Sequence, residues 1–250
     1  MYYVTKQKAV LKSACVAVFA AMLCAGCYDL GLEPSIPPPK EGTFVDRRDG
    51  HVYRKVQIGR QIWMAENLNY EADGSVCYDE GHEGESWTYD PKQMCEKYGR
   101  LYDWSTAMNG EKSSNKNPSG VEGICPVGWH LPSDAEWSEL MDTVGVNSSI
   151  KLEGTDFGHA EGHPDGRDNY GFHALPGGIG SELSTNFFPN IGKQPPYFWD
   201  GTRTGYWWSS TELDNDHTRA WWRMMSGREE VEHLAYDKHY MVSVRCVHDY

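Results

Sequence analysis

Seven cysteines constrain the fold of this 250-residue chain more than any other feature. Cys15 and Cys24 lie in a segment typical of an export signal, and Cys27 follows it directly. The other four lie further along the chain: Cys77, Cys95, Cys125 and Cys246. An even set of cysteines in an exported protein predicts two disulfides, and therefore a fold closed by covalent crosslinks.

Four cysteines allow three pairings. We expect Cys77 to close a local loop with Cys95, and Cys125 to join Cys246 near the C-terminus. A zinc site is the competing use of these residues. No pair has the C-x-x-C spacing and no paired histidine pattern accompanies them, so the sequence favours disulfides.

Residues 1–26 are predicted to be a signal peptide. The first 12 residues carry Lys6, Lys8 and Lys12 and no acidic residue, and an apolar run follows over residues 14–23. A membrane-spanning helix needs about 20 apolar residues, so this run is too short to be one. A basic start, a short apolar stretch and small residues before the cleavage point are the layout of an export signal.

The segment LCAGC at residues 23–27 resembles a bacterial lipobox, in which the final cysteine is acylated and becomes the mature N-terminus. Cys24 departs from that pattern, because leucine is preferred there and Leu23 lies one residue earlier. The resemblance implies a lipid anchor at Cys27 that holds the protein at a membrane while its body stays in water. Ordinary cleavage nearby, which leaves Cys27 as a thiol, is the alternative. We therefore expect an exported lipoprotein of the outer membrane or cell surface.

The charge of the exported part excludes two classes of partner. The whole chain has 23 basic and 36 acidic residues; the signal carries three of the lysines, so 20 basic residues remain and the formal charge is −16. Such a surface repels the phosphates of nucleic acids and of anionic lipids. Neither is an expected partner of the exported domain.

Composition divides the exported chain into a spacer and one domain. Residues 27–45 include three consecutive prolines at 37–39, which favour an extended, stiff segment. Residues 46–250 are enough for one well-buried domain. Near its start, Val52, Val56 and Ile58 have the even spacing of a half-buried strand, and a turn at 59–60 predicts a hairpin with residues 61–64.

Three short helices are predicted in the first half of the domain. One begins after Asp90, with proline at its first position, and ends at Gly99; another covers residues 102–108. The third has a capping box at 133–136 (SDAE) and ends at Gly145. Its buried stripe has helical spacing: Trp137, Leu140, Met141 and Val144. Strand-like segments follow at 206–210, 220–225 and 241–247, so the predicted fold class is α+β with an antiparallel sheet largely supplied by the second half.

Ordered motifs along the domain resemble one protein family. They are DGHVY (49–53), QIWMAENLNY (61–70), CEKYGRLY (95–102), CPVGWHLPS (125–133), YGFHALPGG (170–178), WWSSTE (207–212) and VRCV (244–247). In this order they resemble the Fibrobacter succinogenes major paralogous domain, over about residues 46–250. The resemblance implies an exported bacterial protein, often a lipoprotein.

That family is similar in turn to the formylglycine-generating (sulfatase-modifying-factor) fold, a branch of the C-type-lectin-like architecture. Residues 129–137 (WHLPSDAEW) carry this similarity, which implies a single C-type-lectin-like domain but no particular activity. The formylglycine-generating enzymes use reactive cysteines near their C-terminal end, where this chain has only Cys246.

We therefore expect no enzyme. No G-x-S-x-G nucleophile elbow is present. Among ten histidines, chance proximities such as His130 near Asp134, or His159 with His163, carry little weight.

Tryptophans near the C-terminal strands are the first candidate for a ligand site: Trp199, Trp207, Trp208, Trp221 and Trp222. Aromatic faces suit the apolar faces of sugar rings, although strand alternation predicts that at least half of these residues belong to the core. The expected function is binding of an extracellular ligand, such as a polysaccharide, by a lectin-like domain. The alternative is a non-catalytic structural or assembly component of the cell envelope that contacts other proteins.

Oxygen-rich loops are the second candidate, as a calcium site. Two are present: Asp214, Asn215 and Asp216 after Glu212, and a loop with Asp165, Asp168 and Asn169. Calcium prefers such oxygen ligands. Runs of Asp, Asn and Gly are also common in plain turns, so calcium is an option and no cofactor is required.

Overall fold

The computed structural model describes residues 40–78, 90–157, 166–181, 197–199 and 203–249. All of these belong to one unit that extends from Pro38 to Tyr250. Over these ranges the chain forms two mostly antiparallel sheets and four short helices, which confirms the α+β class. None of the described helices is long and apolar enough to cross a membrane. The signal segment and Cys27 lie outside the described residues.

The first sheet has the strand order β1-β2-β3-β12-β5. Its strands are β1 (Lys40–Val45), β2 (Val52–Ile58), β3 (Gln61–Met64), β5 (Trp129–His130) and β12 (Val247–His248). The predicted hairpin is confirmed, because Ile58 pairs with Gln61 across the tight turn. The predicted end of the spacer at residue 45 is wrong. Residues 40–45 pair with β2, and Phe44 stacks on Trp129 with 4.1 Å between ring centroids.

The second sheet has seven strands in the order β10-β9-β8-β11-β6-β7, with β4 paired to β11. Its strands are β4 (Leu101–Tyr102), β6 (Ile179–Ser181), β7 (Tyr197–Trp199), β8 (Gly205–Leu213), β9 (Asp216–Met225), β10 (Glu232–Asp237) and β11 (Tyr240–Ser243). The second half of the chain supplies most of it, as predicted. The expectation of one main sheet is corrected, because the N-terminal strands β1 to β3 join β12 and β5 in a separate sheet.

The three predicted helices are confirmed, although the second begins at Trp104 because Tyr102 pairs with Val242 in the second sheet. The helices are α1 (Pro91–Tyr98), α2 (Trp104–Met108), α3 (Asp134–Val144) and α4 (Ser148–Leu152). The capping box of α3 is complete, since Ser133 and Glu136 bond each other's backbone N–H groups. The five-residue α4 was not predicted, because it is too short to show a helical period.

Both disulfides have the expected pairing. Cys77 is bonded to Cys95, which ties the segment before α1 to that helix. Cys125 is bonded to Cys246, which ties the loop before β5 to the residue preceding β12. The two bonds therefore fix α1 and the C-terminal end of the chain to their neighbours.

Candidate functional site

A cleft of about 250 Å³ lies where the start of β2, the segment after β3 and the end of α1 meet. Two loops, with Asp156 and His173, complete its walls. Gly99, at the end of α1, is needed for this close packing. Its φ is +77°, and a Cβ there would lie 2.8 Å from the Cβ of Asn67. We call this site the polar cleft, because charged and amide side chains dominate its lining.

The charged groups of the cleft wall form ion pairs with one another. Nε of Arg54 lies 2.8 Å from Oε1 of Glu66, and Nζ of Lys97 lies 3.1 Å from Oδ1 of Asp156. Hydrogen bonding to Tyr98 and the contact with Asp156 raise the pKa of Lys97, so this amine stays protonated. Both cations of the wall are therefore neutralised by a neighbouring carboxylate.

Asn67 is the buried floor of the cleft. Its Nδ2 donates to the carbonyl of Tyr98 at 2.9 Å and to Oγ of Ser243 at 3.2 Å. Its Oδ1 accepts from Nε1 of Trp207 and from Nη2 of Arg245, each at 2.8 Å. The amide thus connects α1, β8 and the C-terminal segment at one point. This residue holds the cleft together rather than offering a free group to a ligand.

Arg245 lies directly behind this floor and is fully buried. Its guanidinium donates to the carbonyls of Phe172 and His173 and lies 4.3 Å from the centroid of the Phe172 ring. Burial lowers the pKa of Arg245 to about 9, which still leaves it charged at neutral pH. In the described part of the chain no carboxylate forms an ion pair with it, and its Nε has no hydrogen-bond partner. Neutral acceptors, an aromatic face and the more distant charges of Asp168 and Glu66 therefore stabilise this buried cation.

His173 presents its half-buried side chain to the cleft from an uncommon backbone conformation. Its φ is +50°, and Asp168 nearby has a φ of +43°. The N–H of His173 donates to Oδ1 of Asp168 at 2.8 Å, while its carbonyl accepts from Arg245 at 3.1 Å. These contacts hold the backbone of His173, and Nδ1 of its ring lies 3.6 Å from Oδ2 of Asp168.

Asn69 supplies the one clear unsatisfied group of the described cleft lining. Its backbone N–H donates to the phenol oxygen of Tyr53 at 2.9 Å, so the residue is fixed in place. Its side-chain Oδ1 is shielded from water and has no hydrogen-bond partner. Leaving an acceptor unsatisfied costs about 1–3 kcal/mol. A donor in the cleft can reach this oxygen only after the amide rotates, a rotation that breaks no hydrogen bond made by the oxygen.

The tryptophan platform predicted from the sequence is wrong for three of its residues. Trp207, Trp208 and Trp222 are at most 2 % exposed. Strand β8 lies between two apolar clusters: Trp207 packs with Trp137 and Phe172 on one face, and Trp208 belongs to the cluster on the other. A strand covered on both faces buries both members of an adjacent pair, so the expected alternation fails.

The remaining two tryptophans have different outcomes. Trp221 is half-buried, and its ring lies 4.2 Å from the ring of His233. Trp199 lies in β7, and its side chain is outside what the structure describes. A continuous tryptophan surface is therefore not present on the described part of β8 and β9.

The calcium site expected at Asp214, Asn215 and Asp216 is not formed by their side chains. Asp214 and Asn215 are the exposed turn between β8 and β9. Hydrogen bonds from Thr218 and Arg219 lower the pKa of Asp216 to about 2 and occupy its carboxylate. In the described ranges, no group of three or more His, Cys, Asp or Glu side chains could hold a metal ion. Of the second loop, Asp165 lies outside the described residues.

His130 does not pair with Asp134. Its Nε2 lies 2.7 Å from Oε1 of Glu136 and its Nδ1 lies 2.6 Å from Oδ1 of Asp249. Burial disfavours the charged ring, but the hydrogen bonds and charges of these two carboxylates outweigh it and raise the pKa of His130. Both nitrogens are engaged, so the ring has no position left for a substrate. His159 and His163 lie outside the described residues.

Sequence reasoning missed the cleft, although its residues lie in the motifs that carry the family resemblance. Asn67 and Asn69 belong to the motif at 61–70, His173 to the one at 170–178, and Arg245 to the last. Each motif contributes a small number of polar residues among apolar ones. Those polar residues were the available signal for a site, but the sequence does not show which of them lie together in the fold.

The family model of the Fibrobacter succinogenes major domain matches residues 56–248, which is most of the chain. The chain therefore belongs to this family, and the resemblance stated from the motifs is confirmed at that level. The family description names no activity. No curated protein and no solved structure matches the chain.

Proposed function

We propose that this member of the Fibrobacter succinogenes major domain family is an exported, lipid-anchored protein that binds a neutral, hydroxyl-rich extracellular ligand in the polar cleft. The observation that carries the proposal is the unsatisfied Oδ1 of Asn69 beside a cleft whose cations are already paired. A saccharide hydroxyl is a suitable donor for this oxygen. The imidazole of His173 offers a second polar group to the same ligand.

Charge favours a neutral ligand over an acidic one. The wall cations Arg54 and Lys97 are neutralised by Glu66 and Asp156, and the mature chain has a formal charge of −16. An acidic sugar would have to compete with these carboxylates. A neutral saccharide needs only hydrogen bonds, which the cleft offers without breaking an ion pair.

The lectin-like part of the proposal rests on local features. The segment from Trp129 to Ser133 leads into α3, whose capping box is complete, and two disulfides close a domain of short strands and short helices. These features suit a C-type-lectin-like architecture. We include that architecture, with no catalytic role, in the proposal.

The anchor and the location of the protein are tested apart from the ligand. We propose acylation at Cys27 and a position at the outer membrane or cell surface. Mass spectrometry of the mature protein is expected to show a lipid-modified N-terminal Cys27, and a Cys27→Ser variant is expected to leave the membrane fraction. An unmodified mature N-terminus at another residue would contradict the proposed lipid anchor and would not bear on the ligand proposed for the cleft.

A glycan array with the full chain in detergent tests the cleft. We expect binding to at least one neutral oligosaccharide, and affinity about tenfold weaker for Asn69→Ala, which corresponds to about 1.4 kcal/mol. The matched control is Asn215→Ala in the exposed turn between β8 and β9. Removal of an unsatisfied oxygen should leave the melting temperature unchanged or higher. If no glycan binds, the ligand proposal fails and the alternative of an envelope assembly component is favoured.

A further inference from the structure

Four aromatic rings run from the core to the surface at the edge of the second sheet. We call Trp208, Trp222, Tyr236 and Tyr240 the aromatic ladder. Trp208 and Trp222 are buried, with 5.3 Å between ring centroids. Tyr236 stacks on Trp222 at 4.5 Å and 18°, and Tyr240 lies beside both rings, 6.0 Å from Trp222 and 6.1 Å from Tyr236. Tyr236 is 42 % exposed, so the ladder ends in a ring that is supported from behind and open to solvent.

The turn that carries the outer rings is firmly held. Residue Lys238 lies between β10 and β11, where its N–H donates to the carbonyl of Thr218 at 3.1 Å. Its carbonyl accepts from the N–H of Trp104 at 2.9 Å. Its amine forms an ion pair with Glu212 and lies 4.0 Å from the centroid of the Trp104 ring. Tyr236 and Tyr240 are therefore ordered before any ligand arrives, which reduces the entropy lost on binding.

The exposed patch is too small for a stable protein partner. An aromatic side chain presents about 150–250 Å², so the open part of Tyr236 amounts to about 60–100 Å². A specific protein interface buries about 800 Å² on each partner. One flat ring with a second ring beside it matches the face of a single sugar residue instead. Strand β10 is also the last in the order of the described sheet, so a long chain can pass along it.

We propose that Tyr236, together with Tyr240, is a stacking surface for the sugar rings of a neutral polysaccharide chain. Asp237 at the end of β10, and the formal charge of −13 of the whole chain, oppose an acidic polymer. The surface shares no residue with the polar cleft, so it goes beyond the function proposed for that site. On this proposal the second sheet contacts its ligand through Tyr236 and Tyr240, and the buried tryptophans do not contact it.

Depletion binding of the full chain to insoluble cellulose, xylan and pectate tests this surface. We expect retention on at least one of the two neutral polymers, a loss of about tenfold or more for Tyr236→Ala, and no loss for Tyr236→Phe. The proposal is overturned if Tyr236→Ala binds like the parent chain, if neither neutral polymer retains the protein, or if only pectate does. It is also overturned if Asn69→Ala abolishes retention, because the cleft would then account for it.

A second measurement covers the case in which Tyr236→Ala does not fold. Nitration of tyrosines in the unmodified protein is followed by mass spectrometry with and without a soluble form of the neutral polymer that retains the protein, hydroxyethyl cellulose for cellulose or soluble xylan for xylan. Protection of Tyr236 supports the stacking surface, and equal nitration in both samples contradicts it. This readout is independent of the glycan array, so the cleft and the aromatic surface can fail separately.

Discussion

Nη2 of Arg245 donates to Oδ1 of Asn67 at 2.8 Å in a site closed to solvent. The same oxygen accepts from Nε1 of Trp207, and no described carboxylate pairs with the guanidinium. A buried charge without a counter-ion depends on neutral acceptors for its stability. Asn67 is therefore the main side-chain acceptor of this site, and it also forms the floor of the polar cleft.

Replacement of Asn67 by alanine is expected to lower the free energy of unfolding by about 3–5 kcal/mol, because the donors of Trp207 and Arg245 lose their acceptor. Asn215→Ala, in the exposed turn, should change it by less than about 0.5 kcal/mol. Denaturant unfolding of both variants measures the difference. Equal stability of the two would show that the Asn67 amide does not support the buried guanidinium.

His130 is expected to make the stability of the domain depend on pH. Glu136 and Asp249 raise the pKa of its ring, so the folded chain binds the proton more tightly than the unfolded chain. This contribution is complete below the unfolded pKa of about 6.5 and is lost as the pH rises through the raised folded pKa. Stability from this source therefore falls toward alkaline pH.

The pH effect is isolated by comparison with His130→Gln, which cannot be protonated. The difference in unfolding free energy between the parent chain and this variant is expected to be larger at pH 6 than at pH 9. Groups that titrate elsewhere cancel in the difference. A gap that stays constant or widens toward pH 9 would contradict the assignment of a charged His130.

Local sequence patterns were sufficient to predict the helices and the first hairpin, but they were not sufficient to predict the polar cleft. The capping box at Ser133 and the proline after Asp90 predict helix starts, because capping depends only on nearby residues. The burial of Trp208 depends on what covers each face of β8, which no local pattern contains. The same holds for Asn67, whose partners come from positions 98, 207, 243 and 245.

The two disulfides are expected to contribute unequally to stability. Cys125 and Cys246 are 121 residues apart, whereas Cys77 and Cys95 are 18 apart. Loop-closure entropy predicts about 5 kcal/mol for the long loop and about 3 kcal/mol for the short one. Denaturant unfolding of the two double Cys→Ser variants measures both losses. A larger loss from the Cys77–Cys95 pair would contradict the entropic account.

Trp207 and Trp221 lie on neighbouring strands, and the fold assigns them different roles. Trp207 is fully buried between α3 and Phe172, and its Nε1 is bonded to Asn67. Trp207→Ala is therefore expected to cost about 3–5 kcal/mol of unfolding free energy. Half-buried Trp221 loses fewer contacts, so Trp221→Ala should cost clearly less.

Binding of both tryptophan variants to cellulose, xylan and the glycan array separates a core role from a ligand role. Trp221→Ala is expected to fold and to bind like the parent chain, because neither the polar cleft nor the exposed ring of Tyr236 includes it. Loss of glycan binding by a folded Trp221→Ala variant would show that the ligand binds at Trp221 on β9. If Trp221→Ala binds like the parent chain and Trp207→Ala is destabilised, Trp207 belongs to the core. Its buried indole bonds Asn67 and so stabilises the cleft without contacting the ligand.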